Sequence, residues 1–208
     1  MPRLVLASGS AVRADLMRAA GLRFEVSPAT LDERAVERSW IMAGGAASVI
    51  PLTLARAKAK EVSLRRPGAV VVGADQGLFL DGSEPLSKAE TLDEARARLR
   101  AMRGATHRLS TGCAVVADQE VLAETAIDVH VTLRDLSDAE IDRYLLAAGD
   151  GVIRSVACYE IESLGLALIS RLDGDYFTAL GLPMLWLLNA LREHGVGPFS
   201  EPTKDGAA

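Results

Sequence analysis

Cysteine is scarce in this sequence, and the shortage excludes two classes of small stabilised protein. The 208 residues include two cysteines, Cys113 and Cys158, which lie in apolar surroundings without Cys-x-x-Cys spacing. Disulfide frameworks and structural zinc sites depend on more numerous or more closely spaced cysteines. We therefore expect two buried, reduced thiols.

The sequence also lacks a block of basic residues. Lysine and arginine number 23 against 28 acidic side chains. Broad binding to nucleic acid needs a basic surface, so we expect no nucleic-acid partner. A small anionic ligand is compatible with this balance because a few local cations and backbone N–H groups can hold it.

Long apolar runs are absent as well. None reaches the roughly 18 residues that a membrane-spanning helix requires, so we expect no membrane span. The opening Met-Pro-Arg-Leu-Val-Leu-Ala-Ser is too short and too soon polar for a signal peptide, which favours a cytoplasmic location. With no repeat or linker, we expect one domain over residues 1–196 and a disordered tail over 197–208. A homodimer is left open.

Apolar patterning predicts a single α/β body. Continuous apolar runs at Leu4–Ala7 and Val70–Asp75 are typical of strands covered on both faces. Residues 107–133 alternate like an antiparallel pair, with arms over 109–116 and 126–133. A last strand is expected over 166–172.

Helical spacing and capping signals place the helices between these strands. Helices are expected over 11–21 and 46–66, and capping boxes beginning at Thr91 and Ser137 open two more. Asp32 and Glu33 are expected in an acidic turn, and residues 40–45 in an irregular connection. Pro183 should begin the last helix.

The first candidate anion site lies between the first strand and the first helix. Ser8-Gly9-Ser10 places two hydroxyls and several N–H groups at a helix N-terminus, where the backbone dipole favours an anion. Gly9 allows close approach of a ligand, and Arg13 could donate to the same phosphate. The alternative is a capped turn with a solvated arginine.

Carboxylates supply the second candidate. Asp75 ends a valine-rich strand, and α/β sheets commonly bind ligands at this carboxyl edge. It could hold a divalent cation or orient a water molecule, or it could cap a turn. Asp32 and Glu33 form a second acidic pair, and carboxylates from two loops can meet at one metal.

Three further charged residues have two interpretations each. Lys58 lies in a helix otherwise lined with apolar residues, and Lys88 follows the loop after the strand of Asp75. Each is either a phosphate ligand or a solvated lysine. Glu162 could accept from the N1–H and amino groups of a guanine-type base, or could lie at a strand edge. Together these residues suit metal-assisted phosphate chemistry without a lysine-bearing P-loop.

The ordered motifs resemble those of the Maf family. The similarity runs from about Leu4 to Leu191. It is carried by Leu6-Ala7-Ser8-Gly9-Ser10-x-x-Arg13, Leu31-Asp32-Glu33, Leu54-Ala55-x-x-Lys58-Ala59, Gly73-Ala74-Asp75, Lys88, Gly104-x-x-His107, Thr111-Gly112 and Gly181-Leu182-Pro183.

This resemblance implies a fold and an activity. The fold would be a mixed, twisted sheet with flanking helices, in two lobes with the nucleotide in a central cleft, as in inosine-triphosphate pyrophosphatases. The activity would be hydrolysis of the α–β phosphoanhydride of a nucleoside triphosphate with Mg²⁺ or Mn²⁺. Asp75 matches the family's proton acceptor, and Glu33 with Asp75 would form the metal site. The triphosphate would be held by Ser8, Ser10, Arg13, Lys58 and Lys88.

Three positions bear on the choice of base. The dTTP/UTP branch of the family typically has arginine at the position of Val12, threonine at that of Gln76 and glutamine at that of Glu162. Gln76 and Glu162 are similar to the branch that acts on 7-methyl-GTP, although that branch usually has tryptophan in place of Val12. We therefore expect 7-methyl-GTP or a related modified nucleotide as substrate. A dTTP/UTP pyrophosphatase, an enzyme for other non-standard purine triphosphates, and a nucleotide-binding regulator of septum formation stay open.

Overall fold

The computed structural model describes residues 3–80, 82 and 84–199, so residues 200–208 of the expected tail lie outside it. The strands are β1 (Arg3–Leu6), β2 (Glu25–Val26), β3 (Ala69–Phe79), β4 (Thr106–Ala117), β5 (Glu120–Leu133) and β6 (Ile169–Asp173). The helices are α1 (Ala11–Ala19), α2 (Glu33–Met42), α3 (Ile50–Arg65), α4 (Leu92–Met102), α5 (Asp138–Ala148), α6 (Tyr176–Ala179) and α7 (Met184–Glu193). Within these ranges, no helix has both the length and the apolar character needed to cross a bilayer.

The strands form one mixed sheet in the order β2-β1-β3-β4-β5-β6. β1 runs parallel to β2 and β3, and the pairs from β3 to β6 are antiparallel. β1 ends at Leu6 opposite Val72, whereas β3 continues to Phe79. Beyond Val72, this edge of β3 therefore has no neighbouring strand in the described ranges, apart from the bridge between Leu78 and Leu86.

One face of the sheet carries two apolar clusters. The first packs α1 and α7 against β1 and β3, and the second packs α4 and α5 against the far halves of β4 and β5. Along β3, Ala74 belongs to the first cluster and Leu78 to the second, with the polar Gln76 between them. A third cluster lies under α3 on the opposite face. The expected mixed sheet with flanking helices is confirmed, and the two clusters account for its two lobes.

Helix α2 is the main correction to the sequence-based assignment. Asp32 is its N-cap and accepts from the N–H of Ala35 at 3.0 Å, so the expected acidic turn is a helix start. The helix continues through Trp40 to Met42, into the stretch predicted as irregular. None of its ten residues is buried. Val36 and Trp40 do recur at helical spacing and are partly buried, but one such pair is too short a pattern to distinguish a helix from an irregular connection.

Smaller corrections affect strand lengths. β5 begins at Glu120, six residues before the predicted Ala126, because its first half is only partly buried and shows little alternation. β6 begins at Ile169 because Leu164–Leu168 form a 3-10 turn. The capping box at Ser137 is confirmed, with its side chain and that of Glu140 each accepting from the other's backbone N–H. Both cysteines are free and buried, as expected.

A buried histidine joins β4 to the segment that leads to Glu162. His107 is 2% exposed, and its Nε2 lies 2.6 Å from the hydroxyl of Tyr159. Its Nδ1 is buried without a hydrogen-bond partner among the described residues. Burial lowers the pKa of His107 from 6.5 to about 4, because the charged ring would lose its hydration.

We expect His107 to make stability depend on pH. The unfolded chain takes up a proton on His107 below pH 6.5, whereas the folded protein takes it up only near pH 4. The contribution of neutral His107 to the free energy of unfolding is therefore fully present above pH 6.5 and is lost as the pH falls toward 4. Between pH 7.5 and 5 the loss should be about 2 kcal/mol, measured by urea unfolding. His107→Gln should flatten this dependence, whereas the exposed His130→Gln should preserve it. Identical profiles for the wild type and His107→Gln would contradict the assignment.

Candidate active site

The candidate site lies where β1 ends beside the longer β3. Ser10 caps α1 by accepting from the N–H of Arg13 at 3.4 Å, and its own N–H donates to Ser8 Oγ at 3.2 Å. The predicted strand, bend and helix are confirmed. The first N–H groups of a helix have no partner within it, so this bend has the donors that bind an anion.

Arg13 connects the bend to two distant segments. Its Nη1 donates to Ser8 Oγ at 3.2 Å and to the backbone oxygen of Ala74 at 2.8 Å, and its Nε donates to the backbone oxygen of Gly181 at 2.8 Å. Burial lowers the pKa of Arg13, while the charge of Asp75 opposes that shift. Because Ala74 directly precedes Asp75 in β3, these contacts bring the bend and the Asp75 carboxylate together.

Asp75 belongs to a compact charge cluster on the α3 face of the sheet. Lys58, on α3, lies 2.6 Å from Asp75 Oδ1 and 2.9 Å from Glu33 Oε1 on α2. The side chains of Lys58 and Asp75 are only 11% and 16% exposed. Asp75 Oδ2 makes no hydrogen bond within the described ranges, so it is the oxygen left for water or ligand.

The protein environment shifts the proton affinity of Asp75. Burial raises its pKa, because the charged form loses hydration, while the cations Lys58 and Arg13 act in the opposite direction. The net result is a raised pKa. In its ionised form, a carboxylate with a raised pKa is a stronger proton acceptor than an exposed aspartate.

Sequence analysis missed Glu37. It lies four residues after Glu33 on α2, which places both on one face of the helix. Burial raises the pKa of Glu37, and the charges of Asp75 and Glu33 raise it further, so it faces the same cluster. The i, i+4 spacing could have revealed Glu37 if the segment had been predicted as a helix.

The oxygen ligands in this cluster suit a hard divalent cation. Mg²⁺ is usually held by one or two carboxylates together with substrate phosphates, and Asp75 and Glu33 offer such a pair around the ammonium of Lys58. Within the described ranges, no group of three or more His, Cys, Asp or Glu side chains is arranged to hold a metal. A cation at this site would therefore need oxygen atoms from substrate phosphates to complete its coordination.

The other predicted residues lie outside this charge cluster. Val12 is partly buried in the first turn of α1, and Gln76 points to the opposite face of β3 from Asp75. Lys88 is exposed beyond the Leu78–Leu86 bridge, and Glu162 is exposed in a turn. No hydrogen bond or ion pair between described residues links Lys88 or Glu162 to Asp75.

Two surface grooves lie away from the cluster. One, of about 450 Å³, lies between α2 and α3 and is lined by Val36, Trp40 and Thr53 among others. The other, of about 280 Å³, lies beside α5 near Tyr144 and Leu168. Neither groove is lined by Ser8, Ser10, Lys58 or Asp75, so the open edge of β3 is the candidate site that their chemistry favours.

Comparison with known proteins agrees with the motifs. Residues 3–194 match the Maf-like protein family. The nucleoside triphosphate pyrophosphatase of Nitrobacter winogradskyi is 49% identical over 91% of this chain and 92% of its own length. The 7-methyl-GTP pyrophosphatase of Rhizobium johnstonii is 45% identical over 93% of this chain and 97% of its own.

A solved structure of a HAM1 protein from Coxiella burnetii aligns over 65% of this chain and 75% of that one, with 14% identity and a TM-score of 0.45. At that level of similarity it adds nothing to the assignment. The assignment to a family rests on the family match over residues 3–194 and on the sequence relatives, which span almost the whole chain at 45% and 49% identity. The chain belongs to the Maf-like protein family.

Proposed function

We propose that this protein is a nucleoside triphosphate pyrophosphatase that hydrolyses the α–β phosphoanhydride to give a nucleoside monophosphate and pyrophosphate. One observation carries the proposal. Asp75 is bound to Lys58 through Oδ1, makes no hydrogen bond to a described residue through Oδ2, and is linked through Arg13 to the bend at Ser8. The pyrophosphatase names of relatives at 45% and 49% identity support the same activity.

The proposed mechanism uses each of these groups for one task. Asp75 accepts a proton from water at Oδ2 while the water oxygen bonds to one phosphorus of the α–β anhydride. The bond from that phosphorus to the bridging oxygen breaks, and the bridging oxygen leaves on the other phosphorus, so that the products are the nucleoside monophosphate and pyrophosphate. Lys58 holds Asp75 in place through Oδ1 and offsets negative charge that develops on the phosphates. The hydroxyls of Ser8 and Ser10, with the N–H groups of the first turn of α1, hold the triphosphate chain. Arg13 and Lys88 are proposed as further phosphate ligands.

We also propose that Asp75 and Glu33 hold Mg²⁺ or Mn²⁺ together with substrate phosphate oxygens. Their oxygen atoms fit such a cation, and the neighbouring Glu37 adds negative charge that favours it. When bound, the cation would draw electron density from the phosphates and ease departure of the leaving group.

For the base, we propose 7-methyl-GTP or a related modified nucleotide, with Val12, Gln76 and Glu162 as specificity residues. The name of the Rhizobium johnstonii relative supports this choice. The test is a panel of 7-methyl-GTP, GTP, ITP, UTP and dTTP with Mg²⁺ or Mn²⁺, scored by kcat/KM for pyrophosphate release. A highest value for 7-methyl-GTP is expected. A highest value for UTP or dTTP would assign the other branch, and tight binding without turnover would indicate a regulator.

Glu162→Gln tests the role of that carboxylate in reading the base. A carboxylate accepts from two donors, whereas an amide replaces one acceptor with a donor. We expect kcat/KM for 7-methyl-GTP to fall about tenfold or more, with less than about a twofold change for UTP. The control is Glu160→Gln, two residues earlier, whose carboxylate accepts from Ser163 within the turn. Equal losses on both nucleotides would reject the role of Glu162.

We further propose that residues 1–196 form a single Maf-like domain that acts on free nucleotides in the cytoplasm, with no nucleic acid or membrane as partner. The family match over residues 3–194 and the excess of 28 acidic over 23 basic side chains support this. A homodimer is part of the same proposal, and sedimentation at several protein concentrations tests it.

A further inference from the structure

The side-chain amide of Gln76 is held in one orientation by three acceptors. Its Nε2 lies 3.0 Å from Thr111 Oγ1 and 3.1 Å from the backbone oxygens of both Thr178 and Ala179. Backbone oxygens can only accept. The hydroxyl of Thr111 donates its hydrogen to the Thr178 oxygen at 3.0 Å, so it too offers Gln76 a lone pair. The amide nitrogen must face these atoms, and Oε1 must face away from them.

The surroundings keep these acceptors in place. Thr111 and Thr178 are both 0% exposed. Asp175 anchors Thr178, because its Oδ2 accepts from the Thr178 N–H at 2.7 Å and from the Thr178 hydroxyl at 2.6 Å. Turning the Gln76 amide over would set Oε1 against three acceptors and leave buried lone pairs without donors, which is costly. The orientation is therefore set before any ligand arrives.

Oε1 is the free end of this network. No donor among the described residues contacts it. Among these residues, the only fully buried side-chain atom without a partner is His107 Nδ1, so Oε1 is at least partly exposed to solvent. Gln76 follows Asp75 in β3 and lies in the polar layer between the two apolar clusters. It is thus next to the strand edge that receives Arg13 and the Ser8–Ser10 bend.

We infer that Thr111 and Thr178 position Gln76 so that Oε1 is a fixed acceptor for an N–H or O–H group of the bound nucleotide. The inference rests on the proposed function only in taking a nucleotide as the ligand. Thr111 is then a positioning residue that acts through Gln76. A fixed acceptor favours a ligand with a donor hydrogen at this point, from the base or from the sugar, and disfavours one that presents a lone pair.

Binding of a non-hydrolysable probe tests the acceptor directly. The probe is the α,β-methylene analogue of 7-methyl-GTP, titrated by calorimetry into the whole protein with Mg²⁺. Gln76→Met keeps the length of the side chain and removes the acceptor, so affinity should fall about tenfold or more. Thr132→Val is the control, because its hydroxyl bonds to Thr106 on the exposed face of the sheet. It should leave affinity unchanged.

The positioning role of Thr111 has its own signature. Thr111→Val removes the hydroxyl and should weaken binding about threefold to tenfold, whereas Thr111→Ser keeps the hydroxyl and should bind within about twofold of wild type. Thr111→Ser deletes a buried methyl group and so loses stability. If Thr111→Ser binds like the wild type despite its lower melting temperature and Thr111→Val binds more weakly, the positioning role is supported. If the loss of affinity in both variants parallels the fall in melting temperature, the positioning role is overturned.

A double variant identifies the route of the effect. If Thr111 acts through Gln76, Thr111→Val should cause no further loss of affinity in the Gln76→Met background. Losses that add would overturn the inference. The 2′-deoxy form of the probe separates the two possible donors. If Gln76→Met no longer weakens binding of this form, the donor is the sugar hydroxyl. If Gln76→Met still weakens its binding, the donor is on the base.

The outcomes also separate this inference from the proposed function. Wild-type binding that Gln76→Met does not weaken overturns the inference and leaves the pyrophosphatase intact. Binding that Gln76→Met weakens, in a protein that turns over no triphosphate, supports the inference and overturns the pyrophosphatase. Failure of the wild-type protein to bind the α,β-methylene analogue of any nucleotide in the panel overturns both.

Discussion

Asp75→Asn should lower kcat for pyrophosphate release by about 10²- to 10⁴-fold, the usual contribution of a general base. Asparagine has the same shape but cannot take up a proton from water. Its side-chain oxygen can still face Lys58, which also keeps its ion pair with Glu33 at 2.9 Å. The loss should therefore fall on turnover, while binding of the α,β-methylene probe changes far less.

The matched control is Asp128→Asn on the same sheet. Asp128 pairs with Arg108 at 3.1 Å and lies outside the proposed site, so its loss should leave kcat within about twofold, as for an exposed ion pair. Pyrophosphate release is measured for both variants on the preferred nucleotide, with folding checked by thermal melting. Turnover by Asp75→Asn at the wild-type rate would exclude Asp75 as the base.

Gly112→Ala should be among the most destabilising single substitutions in this protein. A Cβ on Gly112 would overlap the backbone nitrogen of Leu52 and lie 2.5 Å from Leu52 Cα and from the carbonyl carbon of Pro51. These are backbone atoms at the start of α3, so the whole helix must move. We expect a loss of about 3 kcal/mol or more in urea unfolding, at the upper end for overpacking.

This substitution should also separate Lys58 from Asp75, the pair proposed for catalysis. Gly112 lies directly opposite Asp75 in the sheet, and α3 carries Lys58. Displacing the helix should move Lys58 from Asp75 and reduce kcat in the molecules that still fold. Gly151→Ala is the control, because its new Cβ would meet only the flexible guanidinium end of Arg154, at 3.2 Å. Equal stability of the two variants would show that α3 adapts to the added methyl group.

Local features of this protein could be predicted from the sequence. Ser10 caps α1 and Ser137 opens α5 with a capping box, as expected, because each signal depends on residues within four positions. The strand over Val70–Asp75 was predicted for the same reason, since a continuous apolar run marks a strand covered on both faces. Its predicted end at Asp75 was wrong, because β3 continues to Phe79. Helix α2 was missed because Val36 and Trp40 give it a single pair of partly buried apolar residues, which is too short a pattern to mark a helix.

Contacts between distant segments required the tertiary structure. Arg13 was expected as a phosphate ligand, and the three bonds that its Nε and Nη1 make to protein, including one to Gly181, 168 residues away, could not be predicted from the sequence. The glycines of two family motifs were visible, but only the position of α3 explains why Gly112 and Gly73 tolerate no side chain. The threonine network around Gln76 gave no signal, since Thr178 lies 102 residues from it.

The sequence by itself determined the kinds of groups available: a Ser-Gly-Ser bend before a helix, a carboxylate in a valine-rich strand, and isolated cations. The tertiary structure decided which of them meet. It placed Lys58 between Asp75 and Glu33 and turned Asp75 and Gln76 to opposite faces of β3. The reason is physical, because cap and strand preferences depend on near neighbours, whereas these contacts depend on the order of strands and on the face that each helix covers.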